Sequence, residues 1–151
     1  RLRTLNLGGA PVTDEVAHGL PFLRSVETLL FGDTPLTDQG LQGVRGLKQL
    51  KGLHLWRTRI SERGLESLKE LISLEELSIG LPVITDAGLA QLAELRNMRI
   101  LDLNGTGVRG PGLVHLHGMS RLERLWLRNT RVSPEAIAAF RAAVPNAQIF
   151  Q

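Results

Sequence analysis

His54, Ser78 and Asp102 recur at a constant spacing of 24 residues and carry the side-chain types of a nucleophilic hydrolase. A catalytic triad needs its imidazole between hydroxyl and carboxylate, so that the base takes the nucleophile's proton while the acid orients it. Chain order puts Ser78 in the middle instead, and hydrolysis is not expected. A second motif, Gly105-Thr-Gly107-Val-Arg-Gly110, spells GxGxxG between a predicted strand and a predicted helix, where backbone amides can cradle a pyrophosphate. The surrounding units are too short for a doubly wound dinucleotide fold, so no such cofactor is expected. His115 and His117 lie two residues apart, which on a helix aims the rings in different directions, and His18 occupies the equivalent outer region of the first unit. With no cysteine in the chain, thiolate metal sites, disulfides and thiol catalysis are excluded. The sequence predicts no catalytic, cofactor or metal site.

The elements that hold these residues follow one rule. An apolar pattern of 24 residues starts at Leu2, Val26, Leu50, Leu74, Met98 and Leu122, without insertion or deletion. Counting from each start, positions 4 and 6 alternate, as in Leu53/Leu55, Leu77/Ile79 and Leu101/Leu103. That two-residue period puts both side chains on one face of a short strand. Positions 16, 19 and 22, as in Leu89/Leu92/Leu95, have the spacing of a buried helix face. A strand and a helix in every unit require parallel strands with the helices stacked behind them. Thr13, Thr37, Ser61, Thr85 and Ser133 sit at predicted N-caps. Asp14, Asp38, Glu62 and Asp86 follow, where the helix dipole favours negative charge. Gly40, Gly64, Gly88 and Gly112 mark close packing of backbone against neighbouring structure. Arg109-Gly110-Pro111-Gly112 lacks the Thr-Asp start, so the fifth helix should begin less firmly.

The unit LxxLxLxxTxITDxGLxxLxxLxx resembles the leucine-rich repeat, in a variant similar to that of bacterial leucine-rich repeat proteins and of F-box substrate receptors. A fixed period over six copies is specific for fold. The expected architecture is an α/β leucine-rich repeat solenoid: a short parallel concave sheet, convex helices, six repeats and a C-terminal cap at about 145–151. Residues 1–151 form a single domain on this reading. Ile149 falls at position 4 of a would-be seventh strand, and the uncapped amino end is expected to continue into a longer protein. The resemblance implies a non-catalytic module whose concave sheet binds a protein or peptide. The alternative is a structural spacer within a larger protein.

Positions 2, 3, 5, 7 and 8 should line the concave face. Position 5 gives the row Asn6, Leu30, His54, Ser78, Asp102, Trp126, and position 7 gives Gly8, Gly32, Trp56, Gly80, Asn104, Arg128. At about 4.8 Å between strands, such a row is roughly 24 Å long. Both tryptophans of the chain fall on it. Trp56, between Gly32 and Gly80, should stand clear of neighbours beside Leu30 and His54. Trp126 should have Asp102 and Asn104 on one side, and Arg124 and Arg128 in its own strand. Trp and Arg dominate binding hot spots. The candidate partner-binding set is therefore Leu30, His54, Trp56, Arg57, Asp102, Asn104, Arg124, Trp126 and Arg128. A string of Arg57, Arg59, Arg99, Arg124, Arg128 and Arg131 is interleaved with Glu75, Glu76, Asp102 and Glu123. Such mixing favours a protein partner, with an acidic segment as one form of it, over a phosphate backbone. The net charge of +3 is too small to argue for nucleic acid, and no apolar run is long enough to span a membrane.

Overall fold

The two-residue alternation becomes seven strands of three residues in the computed structural model, which describes residues 2–17 and 19–151. They are β1 (Thr4–Asn6), β2 (Thr28–Leu30), β3 (Gly52–His54), β4 (Glu76–Ser78), β5 (Ile100–Asp102), β6 (Arg124–Trp126) and β7 (Gln148–Phe150). One parallel sheet contains them in chain order. Each strand pairs with the next at a shift of one repeat, so Leu29, Leu53, Leu77, Leu101 and Leu125 form one buried row. β7 extends the sheet past the sixth repeat, with Ile149 opposite Leu125. His18 lies outside the described residues.

The convex side departs from the expectation of a full α-helix in every repeat. α1 (Asp14–Ala17), α2 (Asp38–Leu41) and α3 (Asp86–Leu89) are single turns, and the rest is 3-10 helix, including the whole of Gly64–Leu68 and Pro111–Leu116. Among the described residues only α4 (Pro134–Ala143), at the C-terminal end, reaches ten residues. The physical reason lies in the spacing itself. Apolar positions three apart fall in line on a 3-10 helix, whose period is three residues, and drift on a longer α-helix. Leu65 and Leu68 are fully buried this way. Among the described residues no helix is long and apolar enough to cross a membrane.

Neighbouring coils are joined by their acids. The Asp14 carboxylate accepts bonds from the Thr37 amide (3.0 Å) and hydroxyl (2.6 Å). Asp38 does the same for Ser61 (2.7 and 2.6 Å), and Glu62 for Thr85 (2.7 and 2.6 Å). Sequence reasoning assigned these acids to the dipole of their own helix, whereas their bonds go one repeat forward. Thr37, Ser61 and Ser133 still cap their own turns, through Gln39, Arg63 and Ala136 amides. Thr85 makes no such cap, although its hydroxyl donates to Glu62 as those of Thr37 and Ser61 do to Asp14 and Asp38. The fifth repeat is also held from behind. Asp86 takes the amides of Arg109 (3.0 Å), Gly110 (3.0 Å) and Gly112 (2.8 Å), which replaces the missing Thr-Asp start. At the turns, Thr34, Thr58, Thr106 and Thr130 each donate a hydroxyl to a carbonyl three residues back, at 2.6 to 2.7 Å.

Candidate functional site

A hollow of about 780 Å³ opens on the concave sheet across β3 to β6. Six of the nine expected residues line it: His54, Trp56, Arg57, Asp102, Asn104 and Trp126. Leu30 is half-buried on β2 and pairs laterally with His54, outside the hollow. Arg124 and Arg128 are exposed on the β6 side and do not line it either. Glu76, Leu77, Ser78, Ile100 and Asn129 complete the lining together with Gly80 and Gly105, and the expected set lacked them. Their signal was present at position 3, where Glu76 and Ile100 follow Gly52, and at position 8, where Asn129 closes the strand.

The two tryptophans bound this hollow differently from expectation. Trp56 does not stand clear of its neighbours. Its ring lies across the backbone of Gly32, so closely that a Cβ there would fall 2.2 Å from Cε2. A ring on a strand with a glycine beside it gains contact by folding over the gap, and 38% of Trp56 stays exposed. Trp126 leans the other way, stacked on Phe150 of β7 with centroids 5.3 Å apart and planes 18° apart. Arg57 and Arg124 hold their guanidinium carbons 6.0 and 5.9 Å from the Trp56 and Trp126 rings. Both rings thus lean outward from the small residues Ser78 and Gly80, and a floor remains open between them.

Backbone geometry contributes to the rim. Asp33, Arg57 and Asn129, at position 8, have φ of 58°, 54° and 56°, in the left-handed region. Aspartate and asparagine adopt it readily, whereas an arginine is strained there by roughly 1 kcal/mol. Repeat four breaks the row: Leu81 turns inward and is buried, contrary to the expectation that position 8 lies on the concave surface. On the floor, Asp102 accepts the Asn104 amide at 2.9 Å and the Ser78 hydroxyl at 3.3 Å. The Asn104 side chain accepts the Arg128 amide at 2.7 Å.

Charge along the leading edge of the sheet is neutralised within the chain. Position 2 reads Arg3, Glu27, Lys51, Glu75, Arg99, Glu123, alternating in sign at every repeat. Glu27 pairs with both Arg3 and Lys51 at 2.9 Å, and Arg99 with Glu123 at 2.8 Å and Glu75 at 3.6 Å. The hydrogen bond from Lys51 holds the Glu27 carboxyl below its usual range, and that from Arg99 does the same for Glu123. Arg57 is drawn toward Asp33 at 3.5 Å.

The motifs that suggested chemistry have other occupations. Ser78 donates to Asp102 rather than to the His54 imidazole. The amides at the end of the GxGxxG segment already hold an anion, the Asp86 carboxylate. His117 packs on Phe140 with ring centroids 5.9 Å apart, while His115 is exposed.

No family model matches the chain, and no curated protein matches it. Solved structures do. An internalin, inlF, from Listeria monocytogenes superimposes with a TM-score of 0.77 at 18% identity, covering 99% of this chain and 47% of its own. Internalin C2 from the same organism gives 0.71 at 24% identity, covering 98% and 73%. A leucine-rich repeat protein from Leptospira interrogans gives 0.67 at 22%, covering 89% and 33%. The chain thus spans about half the length of the inlF internalin and a third of the Leptospira protein. At these identities the likeness is one of fold.

Proposed function

We propose that this leucine-rich repeat solenoid is a non-catalytic recognition module that binds a protein or peptide segment on its concave sheet. The observation that carries this reading is the open hollow between Trp56 and Trp126, with polar groups on a floor of small residues. Strands hold those side chains in place before any partner arrives, which keeps the ordering cost of association low. Hydrolysis by a triad is disfavoured by the bonding of Ser78, whose hydroxyl is given to Asp102 and not to an imidazole.

The test is selection of a displayed random peptide library on the immobilised chain, followed by affinity measurements on the purified peptides. Trp126→Ala and the exposed-site change Glu76→Arg should each weaken the selected peptides. A buried aromatic anchor is worth about 2 kcal/mol or more, or roughly thirtyfold in affinity. Peptides that bind both variants as well as the parent, with the fold intact by circular dichroism, would place recognition elsewhere. Such a result would leave the concave sheet as the spacer alternative describes it.

A further inference from the structure

The charges inside the hollow do not match those of the sheet around it. Glu76 is exposed on β4 and has no ion pair among the described residues. Asp102, on the adjoining strand, is bonded among the described residues only to neutral donors, the Ser78 hydroxyl and the Asn104 amide. A carboxylate offers about four acceptor sites, so Asp102 keeps capacity for another donor. Strand spacing and rise put these two residues about 8 Å apart at Cα, close enough for one cationic head to reach both side chains. Of the arginines nearest them, Arg57 is turned to Asp33, Arg99 lies between Glu75 and Glu123, and Arg124, without an ion pair among the described residues, lies over the Trp126 ring. An acidic occupant, which the arginine string suggested at first, would meet unpaired carboxylates.

We infer that the hollow receives an arginine or lysine presented by a peptide segment of a partner protein, with its charge at Asp102 and Glu76 and its aliphatic stem beside Trp126 and Ile100. The inference rests on the reading of the concave sheet as a recognition surface. Size favours a peptide over a free small cation. Three strand spacings, about 14 Å, separate the strands that carry the two tryptophans, leaving room for a backbone as well as a side chain. Long basic side chains suit such a place, because their stems bury against apolar surface while the charge stays at a polar partner.

The peptide selection decides this as well. Arginine or lysine should be enriched in the recovered sequences, and Glu76→Gln combined with Asp102→Asn should weaken them at least tenfold, with norleucine at the basic position doing the same in the parent. The Asp102→Asn change keeps an acceptor for the Asn104 amide, as Asn6 does for Gly8 at the same repeat position, so the fold should persist. Recovered peptides that are acidic or uncharged, lose affinity in Trp126→Ala and ignore the Gln/Asn double variant would overturn the basic occupant while leaving concave recognition standing. Peptides indifferent to Trp126→Ala and Glu76→Arg, or no recovered peptide at all, would overturn both.

Discussion

Asp86 and Asp102 are the same side chain in two regions of one solenoid, and they are spent differently. At the seam between coils, Asp86 accepts three backbone amides of the following repeat, at 2.8 to 3.0 Å. In the hollow, Asp102 accepts one amide and one hydroxyl, the latter at 3.3 Å, and remains half-exposed. The difference separates a carboxylate that assembles the fold from one that the fold only carries. The part-buried amides of Gly110 and Gly112 are held at the coil junction by Asp86, whereas the donors around Asp102 can be served by water or by an asparagine.

The sharpest break in this comparison comes from removing each carboxylate. Asp86→Ala strands three amides at the start of the fifth helix and should lower unfolding free energy by about 3 kcal/mol, since bonds to a charged group contribute about 1.5–3 kcal/mol. Asp102→Asn should stay within about 0.5 kcal/mol of the parent, as for a surface change that keeps its acceptor. Urea unfolding of both proteins checks this, and equal losses would erase the distinction between seam and hollow.

A second test stays within the seam. A Cβ added at Gly112 would lie 2.5 Å from the Asp86 carbonyl oxygen and 2.6 Å from its Cα, atoms that cannot move aside. At Gly64 it would meet a side-chain tip, the Asp38 carboxylate oxygen at 2.3 Å, and at Gly88 the Glu62 side chain at no less than 3.2 Å. Overpacking costs about 1–3 kcal/mol, while Ala in place of Gly in a helix returns up to about 1 kcal/mol. The expected order of loss in thermal melts is therefore Gly112→Ala, then Gly64→Ala, with Gly88→Ala near neutral. A large loss at Gly88 would mean that the glycines serve the chain's conformation rather than the approach of the coils.

Much of this was legible because a period of 24 residues constrains every position six times over. Strand register, the buried leucines and the seventh strand through Ile149 all follow from period alone. What period cannot show is a partner one repeat away. Asp38 and Glu62 sit where a helix dipole wants an acid, and nothing local distinguishes that role from a bond to the next coil. The sign alternation from Arg3 to Glu123 was visible at position 2, but only pairing distances show which charges it consumes. Trp56 was misjudged for a related reason. Gly32 looked like empty space beside the ring, and an indole fills such space when the strand next to it has no Cβ.

The smallest expected effect lies at the leading edge, the third place where carboxylates gather. Glu27 is held low by its hydrogen bond from Lys51 and by nearby Arg3, and Glu123 by its hydrogen bond from Arg99. A folded-state pKa below the unfolded one means that the pairs stabilise the protein above the ordinary glutamate value of about 4.3, and cease to do so as pH falls through the folded value. Arg99 is shifted upward by Glu123, which matters only at strongly alkaline pH. Glu123, Lys51 and Arg99 are solvent-exposed and Glu27 is half-buried at the surface, so the contribution is small and screened by salt. Replacing Lys51 and Arg99 together by Met should lower Tm slightly at pH 7, and the gap from the parent should close by pH 3 and shrink in molar salt. If it survives both, the long stems of Lys51 and Arg99 support the edge by packing, and the alternating charges do not hold neighbouring repeats in register.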